Sequence, residues 1–114
     1  MDLSSLPIEV TTSRDAGTGQ QIAFQIVGDA STALARLLAA MPAGTEISAS
    51  DPTNLDCALE VRRTQAGYEA KRGCHGAAGT WRPATAVAAL DWLLPGTGLI
   101  AGRQSGLMLW VPRR

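Results

Sequence analysis

The sequence has few residues of the kinds that bind metals or act as nucleophiles. Cys57, Cys74 and His75 are its only cysteine and histidine residues, and they fit neither a C-x-x-C nor an H-x-x-x-H spacing. Cys74 beside His75 raises the hypothesis of a nucleophile with its base, but neighbouring residues of a strand point to opposite faces. We therefore predict a protein without a metal or cofactor and without catalytic activity.

Long apolar stretches are also missing. No uninterrupted apolar run approaches the roughly 18 residues that a membrane-spanning helix needs. Residues 1–10 lack the basic start and apolar run of a signal peptide. These absences lead us to expect no membrane association and a cytoplasmic location.

The composition is that of a globular domain. A chain of 114 residues that is 46% hydrophobic and 18% charged is typical of one soluble domain with its own core. The formal net charge is zero, but up to residue 58 two basic residues stand against seven acidic ones, and beyond it eight stand against three. The bias to arginine and alanine, with Lys71 as the single lysine, is typical of bacterial genomic composition rather than of a function.

The best-specified stretch is residues 55–94, in which two strands around Gln65-Ala66-Gly67 lead through a glycine-rich loop into a helix. Apolar and polar residues alternate over 55–64 and again over 68–75, as in two strands with one buried face. A helix over 83–94 follows, with Pro83 in its first turn and Trp92 against the sheet.

Two registers are open for this hairpin. A two-residue loop at Gln65 and Ala66 places Leu59 opposite Arg72. The same register makes two charge pairs, Glu60 with Lys71 and Arg62 with Glu69, and places Cys57 across from Cys74. Alternatively, Gly67 closes a three-residue loop with a bulge, which shifts the pairing by one residue. In the expected reducing compartment the two cysteines are more consistent with neighbouring thiols than with a bond.

The remaining elements complete an α+β fold. Residues 7–13 and 20–27 are predicted to form a hairpin, and residues 29–41 a helix with Asp29 or Ser31 as its N-cap. A short strand is predicted over 46–49, and 99–103 with 107–111 should form a last hairpin around Gln104-Ser105-Gly106. The order is β-β-α-(β)-β-β-α-β-β. We predict one domain over residues 1–114, with a mainly antiparallel sheet and two helices packed on one face. The other face would then be available to a partner.

Tryptophan and arginine provide the candidate partner surface, because both are enriched at protein interfaces. The residues we predict to bind a partner are Arg72, Trp81, Arg82, Trp110 and Arg113. Another protein is the expected partner. The acidic first half, the pI of about 6.5 and the lack of helix-turn-helix, RNP or zinc-finger motifs argue against nucleic acid.

A second hypothesis concerns the loop from Gly73 to Thr80. A glycine-rich loop that runs into a helix N-terminus favours an anion, so Gly76, Gly79 and Thr80 are candidate anion-binding residues. The loop lacks the Gly-Lys-Ser/Thr ending of a P-loop. A separate run, Gly96-Thr97-Gly98 with Gly102, has a G-x-G-x-x-x-G spacing, which in a dinucleotide fold would place glycines under a pyrophosphate. Here it follows a helix and precedes a strand, the inverse of the required context, and so indicates a helix stop.

Overall fold

Seven strands form one antiparallel sheet in the computed structural model, which describes residues 1–100, 103–104 and 106–113. Together with a separate pair, β7 and β8, the described residues form nine strands: β1 Ile8–Asp15, β2 Gly19–Ile26, β3 Glu46–Ser50, β4 Cys57–Arg63, β5 Tyr68–Cys74, β6 Arg82–Ala84, β7 Leu99–Ile100, β8 Arg103–Gln104 and β9 Leu107–Pro112. The order across the sheet is β1-β2-β9-β3-β4-β5-β6, and β7 pairs with β8 alone.

Two α-helices accompany the sheet. Helix α1, Ala30–Ala40, begins at Asp29, whose side chain accepts a hydrogen bond from the backbone N–H of Thr32 at 2.8 Å. Helix α2, Ala86–Leu93, begins in the same way at Thr85, and a 3₁₀ turn over Leu94–Thr97 extends it. No helix among the described residues is long and apolar enough to cross a membrane.

Both helices pack on the same side of the sheet. Alternate residues of β3 and β4 are buried, and their side chains join those of α1 and α2 in one core. The largest buried side chains of this core include Phe24, Leu34, Leu37, Ile47, Leu93, Leu107 and Leu109. The predicted α+β class, with an antiparallel sheet and helices on one face, is therefore confirmed. We call the covered side the helix face and the other side the open face.

The hairpin of β4 and β5 adopts the first of the two predicted registers. Leu59 pairs with Arg72, and Thr64 and Gly67 exchange backbone hydrogen bonds around Gln65 and Ala66. The two-residue loop is therefore confirmed. Gly67 closes it with a φ of 152°, a conformation that favours glycine.

Two predictions about the C-terminal half are wrong in detail. The helix predicted over 83–94 begins at Ala86, because Pro83 lies in the edge strand β6, where its missing N–H breaks no ladder. The last hairpin does not form: β9 pairs with β2 and β3. In that position Leu107 and Leu109 are buried in the core. Ala101, Gly102 and Ser105, which the prediction included, lie outside the described residues.

A disulfide joins Cys57 to Cys74 at the end of the β4–β5 hairpin. The predicted pairing of the two residues across the hairpin is confirmed. The expectation of two reduced thiols is wrong for this structure. A bonded Cys74 is also unavailable as the nucleophile considered for it beside His75.

Candidate functional site

The open face is polar, with two tryptophans and a methionine among its charges. Its central members are Gln21 and Ala23 of β2, Met108 and Trp110 of β9, Glu46 and Ser48 of β3, Glu60 and Arg62 of β4, and Glu69 and Lys71 of β5. They share a side because directly paired residues of antiparallel strands point the same way. No helix packs on this side in the part of the chain that the structure describes.

Trp81 lies over the open face beside two cations. The guanidinium carbon of Arg62 is 4.4 Å from the centre of its ring, and the ammonium nitrogen of Lys71 is 4.7 Å from a ring centre. Both distances lie within the range of cation–π attraction. The two contacts hold the ring in place. Because the ring is only half-buried, part of it stays accessible.

Ion pairs fix the same two cations. Arg62 contacts Glu69 at 2.8 Å, and Lys71 lies 3.8 Å from Glu60. Both charge pairs were predicted from the hairpin register and are confirmed. The cations are therefore shared between carboxylates and an indole, which limits their motion in the free protein.

Trp110 occupies the middle of the open face. Its indole lies against Gly19 of the neighbouring strand, where a Cβ atom would come within 2.8 Å of the ring. The half-buried ring borders a shallow cavity of about 240 Å³, which is also lined by Gln21, Glu46, Ile47, Ser48, Glu60 and Met108. Met108 is 39% exposed there. The centre of the open face thus offers an indole, a thioether and two carboxylates to an approaching molecule.

Burial raises the pKa of Glu60 above its ordinary value. The Lys71 ammonium opposes this rise, and the Glu46 carboxylate adds to it. Within the described residues no ion pair or hydrogen bond involves the Glu46 side chain, so the acidic side of the cavity keeps one carboxylate for a ligand.

Four of the five residues predicted to bind a partner are divided between the two faces. Trp81 and Trp110 are on the open face: Trp81 lies over Arg62 of β4, and only β3 separates that strand from Trp110 in β9. Arg72 and Arg82 are on the helix face, because their paired residues Leu59 and Ala70 point there. Arg113 forms an exposed ion pair with Asp15 near the β1–β2 turn.

Arg72 and Arg82 border a cavity on the helix face. It has a volume of about 420 Å³ and lies between β5, β6 and α2; its lining includes Thr80, Pro83, Ala88 and Trp92. The indole N–H of Trp92 donates to the carbonyl of Lys71 at 3.1 Å. Thr80, one of the predicted anion-binding residues, therefore lies beside two arginines.

The premise of the anion hypothesis needs correction, because the loop from Gly73 to Thr80 does not run into a helix. Strand β6 separates it from α2. Gly76 and Gly79 have φ values of 80° and 77°, which mark turns, and Cys74 and Ala77 exchange backbone hydrogen bonds around one of them. The helix dipole therefore does not act on this loop.

Sequence reasoning missed two arrangements. One is the pairing of Trp81 with Arg62 and Lys71; the alternation of β4 and β5 placed both cations on the open face, but nothing indicated that Trp81 would fold over them. The other is the contact between Arg72 and Asp51, which are 21 residues apart. The described residues contain no group of three or more His, Cys, Asp or Glu that could hold a metal ion.

Comparisons with protein families, with curated proteins and with solved structures gave no match to this chain.

Proposed function

We propose that this protein is a non-catalytic binding protein that holds another protein on the open face of its sheet. The observation that carries the proposal is that Trp81 and Trp110 both lie, half-buried, on the side without a helix. Aromatic side chains that are already immobilised lose little entropy on binding, which is why they dominate protein interfaces.

The charges of the open face favour a partner with a basic or amide side chain at its surface. Arg62 and Lys71 are already paired with carboxylates, whereas the Glu46 carboxylate at the cavity has no ion-pair partner among the residues that the structure describes. A basic or amide side chain of the partner would bind between Glu46 and the indole of Trp110. Apolar atoms of the partner would pack against Met108. This division favours a folded protein surface over nucleic acid, whose phosphates would meet Glu46 and Glu60.

The test is a photo-crosslinking amino acid placed at Ser48 on the open face, with Val87 as the matched position on the helix face. Val87 is 69% exposed on α2, so a crosslinker there measures non-specific crosslinking to unrelated molecules. We expect a discrete crosslinked protein from Ser48 in the native host and none from Val87. Trp81→Ala should abolish that product, and Trp92→Ala on the opposite face should preserve it. The same product from both positions, or one that survives Trp81→Ala, would exclude the open face.

The helix-face cavity supports a second candidate function, the binding of a small anionic ligand. Arg72, Arg82 and Thr80 converge there beside Trp92, with apolar atoms from Pro83 and Ala88. Titration with inorganic phosphate or a nucleotide should then shift the amide resonances of residues 76–80 and change Trp92 fluorescence. Arg82→Gln should remove the response and Arg113→Gln should retain it. No shift at millimolar concentration would exclude this function.

The cellular compartment of the protein needs a test of its own. A cytoplasmic location stays a prediction, but the Cys57–Cys74 bond argues against it and for an oxidising environment, because cytosolic reductants remove most disulfides. Trapping free thiols during cell lysis distinguishes the two: an oxidised pair in the native host would exclude the reducing cytoplasm.

A further inference from the structure

The two edges of the sheet are protected to different degrees. At one edge, β6 has only three residues and contains Pro83, which is how proteins commonly block strand pairing. At the other edge, β1 has eight residues and no proline, and all but its first are exposed. Most backbone groups on the outer side of β1 are therefore available to another strand; the exception is the Ile8 N–H, which donates to the carbonyl of Leu6 at 2.8 Å.

The outward groups of β1 follow from its hydrogen bonds to β2. Ala16 donates to Gly19, and Val27 donates to Pro7, so Ala16 and Pro7 face β2. Bonding alternates along an antiparallel strand. Ala16 and every second residue before it face β2, so Ser13 and Asp15 face outward. Pro7 and every second residue after it also face β2, so Ile8 and Val10 face outward. The alternation changes phase at the irregularity between Val10 and Thr12.

This irregularity makes β1 complementary to a second β1. A regular strand can pair with itself only about a residue, because a centre between two residues would set each outward-facing residue opposite an inward-facing one. The extra residue at Thr11 changes that parity. An antiparallel pairing centred between Thr11 and Thr12 then sets Val10 opposite the partner's Ser13, and both are outward-facing residues.

The same register sets Glu9 opposite the partner's Arg14. Glu9 pairs with Gln25 and Arg14 with Gln21 inside the chain, so both point to the open face. Within the described residues the Glu9 side chain makes no ion pair or hydrogen bond, and Arg14 donates to Gln21 through one terminal nitrogen. The remaining donors of Arg14 are available to a carboxylate. Two-fold symmetry makes this contact twice.

We infer that the protein forms a homodimer by pairing β1 with the β1 of a second copy, antiparallel and centred between Thr11 and Thr12. The two sheets join into one, and the open faces of the two copies lie on the same side because Glu9 and the partner's Arg14 share a face. The inference does not depend on the proposed function, since β1 contains neither tryptophan.

Light scattering after size exclusion, with a protein concentration of about 0.1 mM, tests the pairing. We expect a mass of twice the 11.9 kDa of one chain. Glu9→Arg and Arg14→Glu should each weaken the dimer about tenfold or more, because each makes two like-charge contacts. A mixture of these two variants should form a heterodimer, in which each contact again joins opposite charges. The double variant should dimerise like the wild type.

Two further variants separate the pairing from general effects. Asp91→Arg makes the same change of charge on α2, where Asp91 is exposed, and should leave the dimer intact. Ser13→Pro removes an outward N–H and should give a folded monomer, as judged by circular dichroism. A monomeric wild type at this concentration, a dimer indifferent to Glu9→Arg, or failure of the two single variants to combine would overturn the inference.

Discussion

The guanidinium of Arg72 is held by the buried carboxylate of Asp51, with the Nε and Oδ2 atoms 2.5 Å apart. Asp51 is 5% exposed and follows directly after β3, whereas Arg72 belongs to β5. The contact therefore joins two strands that are separated by β4. The contact uses Nε of Arg72, so only the two terminal nitrogens of its guanidinium remain for a ligand.

Acid should destabilise the protein through Asp51. Hydrogen bonds from the Thr53 hydroxyl, from Arg72 and from the Thr53 N–H lower the pKa of Asp51 to about 2. Because its folded pKa lies below the ordinary value of 3.8, the stabilisation is fully present above pH 3.8 and is lost as the pH falls towards about 2. Urea midpoints measured over this range should fall more steeply for the wild type than for Asp51→Asn. Asp91→Asn is the control, and equal slopes for Asp51→Asn and the wild type would contradict the assignment.

Reduction of the disulfide should destabilise the fold by about 3 kcal/mol, the value expected for a loop of this length. Cys57 and Cys74 are 17 residues apart. Chemical denaturation with and without a reductant measures the difference. The double variant Cys57→Ala, Cys74→Ala should be insensitive to the reductant. An unchanged midpoint for the reduced wild type would show that the bond does not form in solution.

Gly19→Ala should displace Trp110. A Cβ at Gly19 would lie 2.5 Å from the carbonyl oxygen of Val111 and 2.8 Å from the indole. Such overpacking costs about 1 to 3 kcal/mol, and tryptophan fluorescence should change with it. Gly106→Ala is the matched control, because a Cβ there meets nothing within 4 Å. A Gly19→Ala protein with wild-type stability and emission would contradict the close approach.

Tyr68→Phe should cost about 1 kcal/mol of unfolding free energy, the usual value of one such hydrogen bond. The Tyr68 hydroxyl donates to the carbonyl of Leu38 at 2.8 Å and so ties β5 to α1. Hydrogen exchange near the end of α1 should also accelerate in the variant. If neither stability nor exchange changes, the hydroxyl is satisfied by water instead.

Thr45→Val should stabilise the protein by roughly 1 kcal/mol. Thr45 is fully buried, and its hydroxyl has no hydrogen-bond partner among the described residues. Replacing an unsatisfied hydroxyl by a methyl group of similar size removes a desolvation cost. Thr45→Ala, which leaves a cavity, should not be stabilising. A destabilised Thr45→Val would indicate a partner for this hydroxyl, such as a bound water.

Local patterns in the sequence determined much of the sheet and the first helix. The alternation of β4 and β5 defined the buried side of the hairpin, and the confirmed charge pairs of Lys71 with Glu60 and Arg62 with Glu69 agree with its register. Asp29 caps the start of α1, where its side chain accepts a hydrogen bond from the backbone N–H of Thr32. The hairpin register and the helix start depend on residues that are close in the chain. They can therefore be predicted without knowledge of the tertiary structure.

Tertiary structure decided the contacts between distant segments. Strand β9 lies between β2 and β3, where Leu107 and Leu109 are buried on the helix face, and no local pattern specifies the neighbours of a strand. The same packing placed Trp81 over Arg62 and brought Arg72 to Asp51. The sequence by itself thus determined which residues share a face within each hairpin, whereas the order of the strands decided which of those residues form a surface.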